Sequence, residues 1–166
     1  MKGANGFVIA AILFVADQFS KWLVAGPVGL TELGQTIELL PFFDLTRVHN
    51  NGISGNLLAA ESDLTRWLLI AMTAGIAGVV AFWLTREEQA GDRVALGMVL
   101  GGALGNIVDR VRLGYVLDFA DFHLGGFRPF LVFNVADAGI SIGVVILILR
   151  AFLFRKAAPK EKLDDA

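Results

Sequence analysis

Four apolar runs constrain this chain more than any other feature, because each is long enough to cross the hydrocarbon core of a bilayer. A spanning helix needs roughly 20 largely apolar residues. The spans are expected near 7–25, 67–84, 94–109 and 130–154, which makes the fold an all-α polytopic membrane protein with four transmembrane helices. The first run follows an early lysine and superficially matches a cleavable leader. It continues through Asp17 and Lys21 to about Ala25 with no clear small-residue cleavage pattern, so it is read as a membrane helix. Trp67 and Trp83 stand near the ends of the second run, where indoles favour the interface.

Between the first two spans the chain turns polar. TIELLPFFDLTRVHN holds short β-leaning runs broken by Pro41, so 27–62 is expected to form a small extracytoplasmic β-rich segment. Gly114 to Pro129 is expected as an interfacial or re-entrant loop, because Tyr115, Phe119, Phe122 and Phe127 crowd it. One integral membrane domain then covers 1–154, and 155–166 is a charged cytoplasmic tail. Arg86 and Arg93 in one short loop, with Arg155, Lys156, Lys160 and Lys162 in the tail, define a basic side. The positive-inside rule turns that side to the cytoplasm, with both termini. The longer segments and the polar clusters in them fall on the outer face.

Those clusters are the second constraint. A carboxylate in or against lipid is costly and marks a functional site by default, and 101–140 carries Asp109, Asp118, Asp121 and Asp137. Asn106, Asp109 and Arg110 share one helix face at the end of the third span, as do Asn134 and Asp137 at the start of the fourth. Asp17 and Lys21 are four apart and taken alone read first as a helix-end ion pair, with a polar face turned toward a site as the functional alternative. Asn50-Asn51-Gly52 is a turn signal whose amides can also hold a backbone or a carboxylate. Gly97, Gly101 and Gly105 form a small-residue stripe suited to close helix packing.

Composition narrows the chemistry. The 166 residues include no cysteine and two histidines, which removes thiolate nucleophiles and multi-histidine metal clusters. A net charge of −2 makes nucleic acid an unsuitable partner. Two uses of buried aspartates remain. One is acid–base hydrolysis by a carboxylate pair sharing a proton. The other is proton relay in a small proton-coupled transporter, which favours acids at the midplane and an internal repeat. The acids here lie near span ends, and no repeat is visible.

The chain resembles the lipoprotein signal peptidases, the bacterial signal peptidase II family. The resemblance rests on DQFSK (17–21), NNGISG (50–55), GGALGNIVDR (101–110), GYVLDF (114–119) and FNVADAGI (133–140), in the family's order. Gly55 stands where the family usually carries an aromatic. The resemblance implies an intramembrane aspartyl endopeptidase that cuts before a diacylglyceryl-modified cysteine in a prolipoprotein. Asp118 and Asp137 would be its catalytic pair. Asp17, Lys21, Asn50, Gly102, Asn106, Asp109, Arg110 and Asn134 would support them, leaving Asp121 as a loop residue. It further implies no metal or cofactor, membrane lipid and lipid-modified precursors as partners, a monomer, and a bacterial inner membrane location with the site near the extracytoplasmic face.

Overall fold

The computed structural model describes residues 4–52 and 63–153. Four helices carry most of the chain: α1 (Ala4–Ala25), α2 (Asp63–Arg86), α3 (Ala90–Leu113) and α4 (Val135–Leu153). All four are long and apolar enough to cross a membrane. Three strands, β1 (Thr36–Leu40), β2 (Phe43–Asn50) and β3 (Val116–Phe122), form an antiparallel sheet in the order β1-β2-β3. The sheet joins the end of the bundle where α1 and α3 finish and α4 begins. The tail 155–166, with Ser54, Gly55 and the rest of 53–62, lies outside the described residues.

α3 is the axis of the bundle and packs against each of the other three helices. Its glycines make that possible. A Cβ at Gly97 or Gly101 would run into the backbone carbonyls of Gly6 and Ala10 on α1, and one at Gly102 into the Ala136 carbonyl on α4. The backbones therefore approach without intervening side chains, as small residues permit in lipid. Around this contact, Ala10, Ala77, Leu84, Leu96 and Leu100 form a core shared by α1, α2 and α3. A second core of Val24, Leu30, Leu45, Phe119 and Ala120 seals the sheet onto the helix ends.

The sheet takes one strand from a segment expected to be a loop. Within 114–129, residues 116–122 are β3, and six of its seven residues are buried. A strand buried on both faces loses the alternation of half-buried strands, so its apolar and acidic residues ran together in the sequence. Asp121 is therefore a strand residue and not a loop residue. It is 2% exposed, lies opposite Asp44, and is held by the Thr46 hydroxyl and Arg128.

Two helix boundaries position the chemistry. α3 continues to Leu113 and stops at Gly114, whose left-handed φ of 88° suits a residue without a Cβ. The expected fourth span opens on Phe130, but α4 begins only at Val135. Phe133 instead bridges to β3, exchanging backbone hydrogen bonds with Ala120 at 2.8 and 3.1 Å. The chain entering α4 is thus fastened to the strand that carries Asp118.

Candidate active site

Asn134 connects the two aspartates. Its side-chain oxygen accepts the backbone N–H of Asp137 at 2.9 Å, while the Asp137 carboxylate accepts the backbone N–H of Asn134 at 3.3 Å. This reciprocal pairing is a capping box, with Asn134 as N-cap and Asp137 three residues on. The same side chain then donates from Nδ2 to the Asp118 carboxylate at 2.6 Å. One buried amide thus starts α4, fixes the backbone under Asp137 and holds Asp118.

Two further amides complete the inner ring. Asn50, at the end of β2, donates to the other oxygen of Asp118 at 3.1 Å. Asn106 of α3 donates to Asp137 at 2.9 Å. Its orientation is fixed because its oxygen accepts from Lys21 Nζ at 3.4 Å and from Asn134 Nδ2 at 3.3 Å. Each aspartate is therefore aimed by groups from separate elements.

Behind this ring lies a buried charge cluster. Lys21 Nζ sits 2.8 Å from both Asp17 and Asp109. Asp17 also accepts the Ala136 backbone N–H at 2.9 Å, satisfying a second free amide at the start of α4. Asp109 accepts the Leu117 N–H at 3.1 Å, fixing the strand beside Asp118. The cluster thus reaches the pair through three links: Asn106, the first turn of α4, and β3. Gln18 binds it further, donating to Asp109 at 3.0 Å, to Asp17 at 3.2 Å and to the Gly105 carbonyl at 3.3 Å.

All ten residues singled out in the sequence gather at this end of the bundle, at different distances from the pair. Asn50, Asn106 and Asn134 touch the aspartates; Asp17, Lys21 and Asp109 act through other groups. Arg110 donates to the Gly52 carbonyl at 2.6 Å and so ties the β2 exit to α3. Gly102 contacts neither acid and serves the α3–α4 approach. Gln18 was missed because its position on the α1 wheel is about 100° from Asp17, and only its long amide brings it back to the cluster. Tyr115 and His49 were also missed as a pair. Their rings stack at 3.6 Å, and Arg47 donates to both.

The electrostatics of the pair favour a retained proton. Burial, and then the charge of Asp137, push the Asp118 carboxyl up to about 7, although the Asn50 and Asn134 amides pull the other way. A carboxyl near neutrality beside a second carboxylate is the arrangement needed for general acid–base work. Among the described residues no group of three or more His, Cys, Asp or Glu side chains is placed to hold a metal ion.

Residues 9–153 match the family described as signal peptidase (SPase) II. The lipoprotein signal peptidase of Sphingopyxis alaskensis is 56% identical over 92% of this chain and 88% of its own. That of Rhizorhabdus wittichii is 58% identical over 96% and 92%. A solved structure described as a bacterial membrane enzyme superposes with a TM-score of 0.78 at 27% identity, covering 98% of this chain and 94% of that one.

Proposed function

The chain belongs to the signal peptidase II family, and from that premise we propose that Asp118 and Asp137 are its catalytic pair. It is a membrane peptidase of aspartic type; the transporter reading finds no support among its relatives. The observation that carries the residue assignment is the shared amide of Asn134, bonded to Asp118 while capping the turn that presents Asp137.

The reaction follows from two carboxyls holding one proton. The ionised member takes a proton from water as the water oxygen attacks the scissile carbonyl carbon. The protonated member gives its proton to the developing oxyanion. When the gem-diol collapses, the C–N bond breaks, the amine leaves with a proton from the protonated carboxyl, and one hydroxyl returns its proton to the other carboxylate as the carbonyl re-forms. The pair titrates as a unit, so either carboxyl can stand in either role at successive steps. Asn50, Asn106 and Asn134 keep the oxygens aimed throughout.

The substrate is a prolipoprotein carrying diacylglycerol on the cysteine that follows the cut; the relatives' name, lipoprotein signal peptidase, supports the lipoprotein part of that reading. A site at a helix-bundle end suits it, since the acyl chains stay in lipid while the peptide reaches the aspartates. The protein acts as a monomer in the bacterial inner membrane, with 1–154 as one domain, both termini in the cytoplasm and the pair near the opposite face.

The test is cleavage of a diacylglyceryl-modified precursor in detergent by wild type, Asp118→Asn and Asp137→Asn. Each variant is expected to lose about 10²–10⁴-fold in turnover while still unfolding in one cooperative thermal transition. Near-normal turnover in either sinks the assignment.

A further inference from the structure

Beyond the catalytic pair, the sheet carries an apolar surface that the reaction does not use. Leu124, Phe127, Phe130 and Leu131 are 58%, 65%, 62% and 64% exposed. Leu39, Leu40 and Phe42, around the β1–β2 turn, are exposed beside them. Aromatic contacts join the two segments: Phe42 to Phe122 at 6.1 Å between centroids, and Phe122 to Phe130 at 6.4 Å. The tip is an ordered structure. The His123 N–H donates to the Phe42 carbonyl at 3.0 Å, and Leu124 and Phe127 exchange backbone hydrogen bonds at 2.8 and 3.2 Å.

We propose that this tip is an interfacial anchor, seated in the headgroup layer of the bilayer, which sets the depth at which the sheet presents Asp118 to substrate. Three features favour lipid as the occupant. First, the surface lies close along the chain to a helix long and apolar enough to cross the membrane. Leu131 is four residues before α4, within about 14 Å of it at full extension, and α4 exposes Ile142 and Val145 along its flank. Second, Arg128 rises from the middle of the tip with a 60% exposed side chain, and among the described residues only its Nε is engaged, on Asp121. Its remaining guanidinium donors suit lipid phosphate, and aromatic residues with a neighbouring cation are the composition of membrane interfaces. Third, the anchor is coupled to the chemistry. Arg128 grips Asp121 on β3, three residues beyond Asp118 on the same strand.

The inference rests on the membrane-peptidase reading, but its first test needs no catalysis. The chain has no cysteine, so Phe127→Cys and Leu131→Cys accept single nitroxide labels in vesicles of phosphatidylethanolamine and phosphatidylglycerol. Labels at both positions are expected to collide with a water-soluble nickel chelate less often than a nitroxide in buffer and more often than a label at Val145→Cys in the spanning part of α4. Collision with the chelate as free as that of a nitroxide in buffer overturns the proposal. So does dipolar broadening between labels at high lipid dilution, which would make a second copy the occupant. A second readout covers misfolding of the labelled chains. Phe127→Ser/Leu131→Ser is expected to lose about tenfold in kcat/KM in vesicles and little in detergent micelles, with Phe127→Trp retaining activity in both. Equal loss in both media overturns the anchor. Loss of activity in Asp118→Asn with unchanged label depth separates it from the catalytic assignment.

Discussion

Asp118 combines burial, two amide donors and a neighbouring acid, and its behaviour with pH follows from the sum. Its proton is retained up to about 7, so if the proposed pair works in its singly protonated form, kcat/KM is expected to fall on the alkaline side of that value. The Asn50 amide favours the charged carboxylate. Asn50→Ala is therefore expected to move the alkaline limb upward while lowering the maximum, as a pH–rate profile in detergent would show. Stability runs the same way. A carboxyl whose folded value is raised contributes fully below its ordinary 3.8 and loses that contribution as pH rises through about 7. Asp118→Asn should flatten that decline in thermal unfolding. Lys21 is the other decisive residue, since Asp17 and Asp109 are both buried against its ammonium. Lys21→Met leaves two uncompensated carboxylates and is expected to cost about 3–5 kcal/mol. Asp17→Asn/Lys21→Met/Asp109→Asn should recover part of that loss in the same melting experiment.

Elements are placed here by what they lack. α3 approaches α1 because Gly97 and Gly101 present no Cβ to the opposing carbonyls. Gly101→Val is expected to destabilise by about 1–3 kcal/mol through overpacking. Gly75→Ala and Gly78→Ala, at positions of α2 where an added Cβ meets nothing within 4 Å among the described residues, should be neutral or stabilising by up to about 1 kcal/mol. Melting temperatures of the three variants in one detergent decide the contrast. The glycine stripe and the four helices were legible in the sequence, since both follow from composition and a period along one chain. β3 was not. Its pairing with β2 joins residues about 70 positions apart, and burial on both faces removed the alternation that marks a strand. The start of α4 was obscured for a related reason: Phe130 and Leu131 are apolar like the helix they precede, and only the hydrogen bonds of Phe133 show them to be outside it.

At the scale of the molecule, four helices run alternately up and down, and the polar constellations collect at one end. The basic residues Arg86 and Arg93 lie at the opposite end, with the last turn of α4. A cytoplasmic reporter fused after Lys162 should be active, and one inserted beside Glu32 inactive; the reverse pattern inverts the orientation. Most of the site was legible because each acid or amide sat in an apolar context where it was costly without a task. The partners were less so. Which amide meets which carboxylate depends on the helix crossings and on β3, and Gln18 and the Tyr115–His49 stack carry no such contrast with their surroundings.

The capping box at the head of α4 has a consequence for how this protein fails. Asn134 is at once the first fastening of a helix and the clasp between two acids. Fraying of that turn and dispersal of the pair are one event, an interlock and not two independent losses. On heating, activity should vanish when a single helix end comes loose, while the rest of the bundle is still wound.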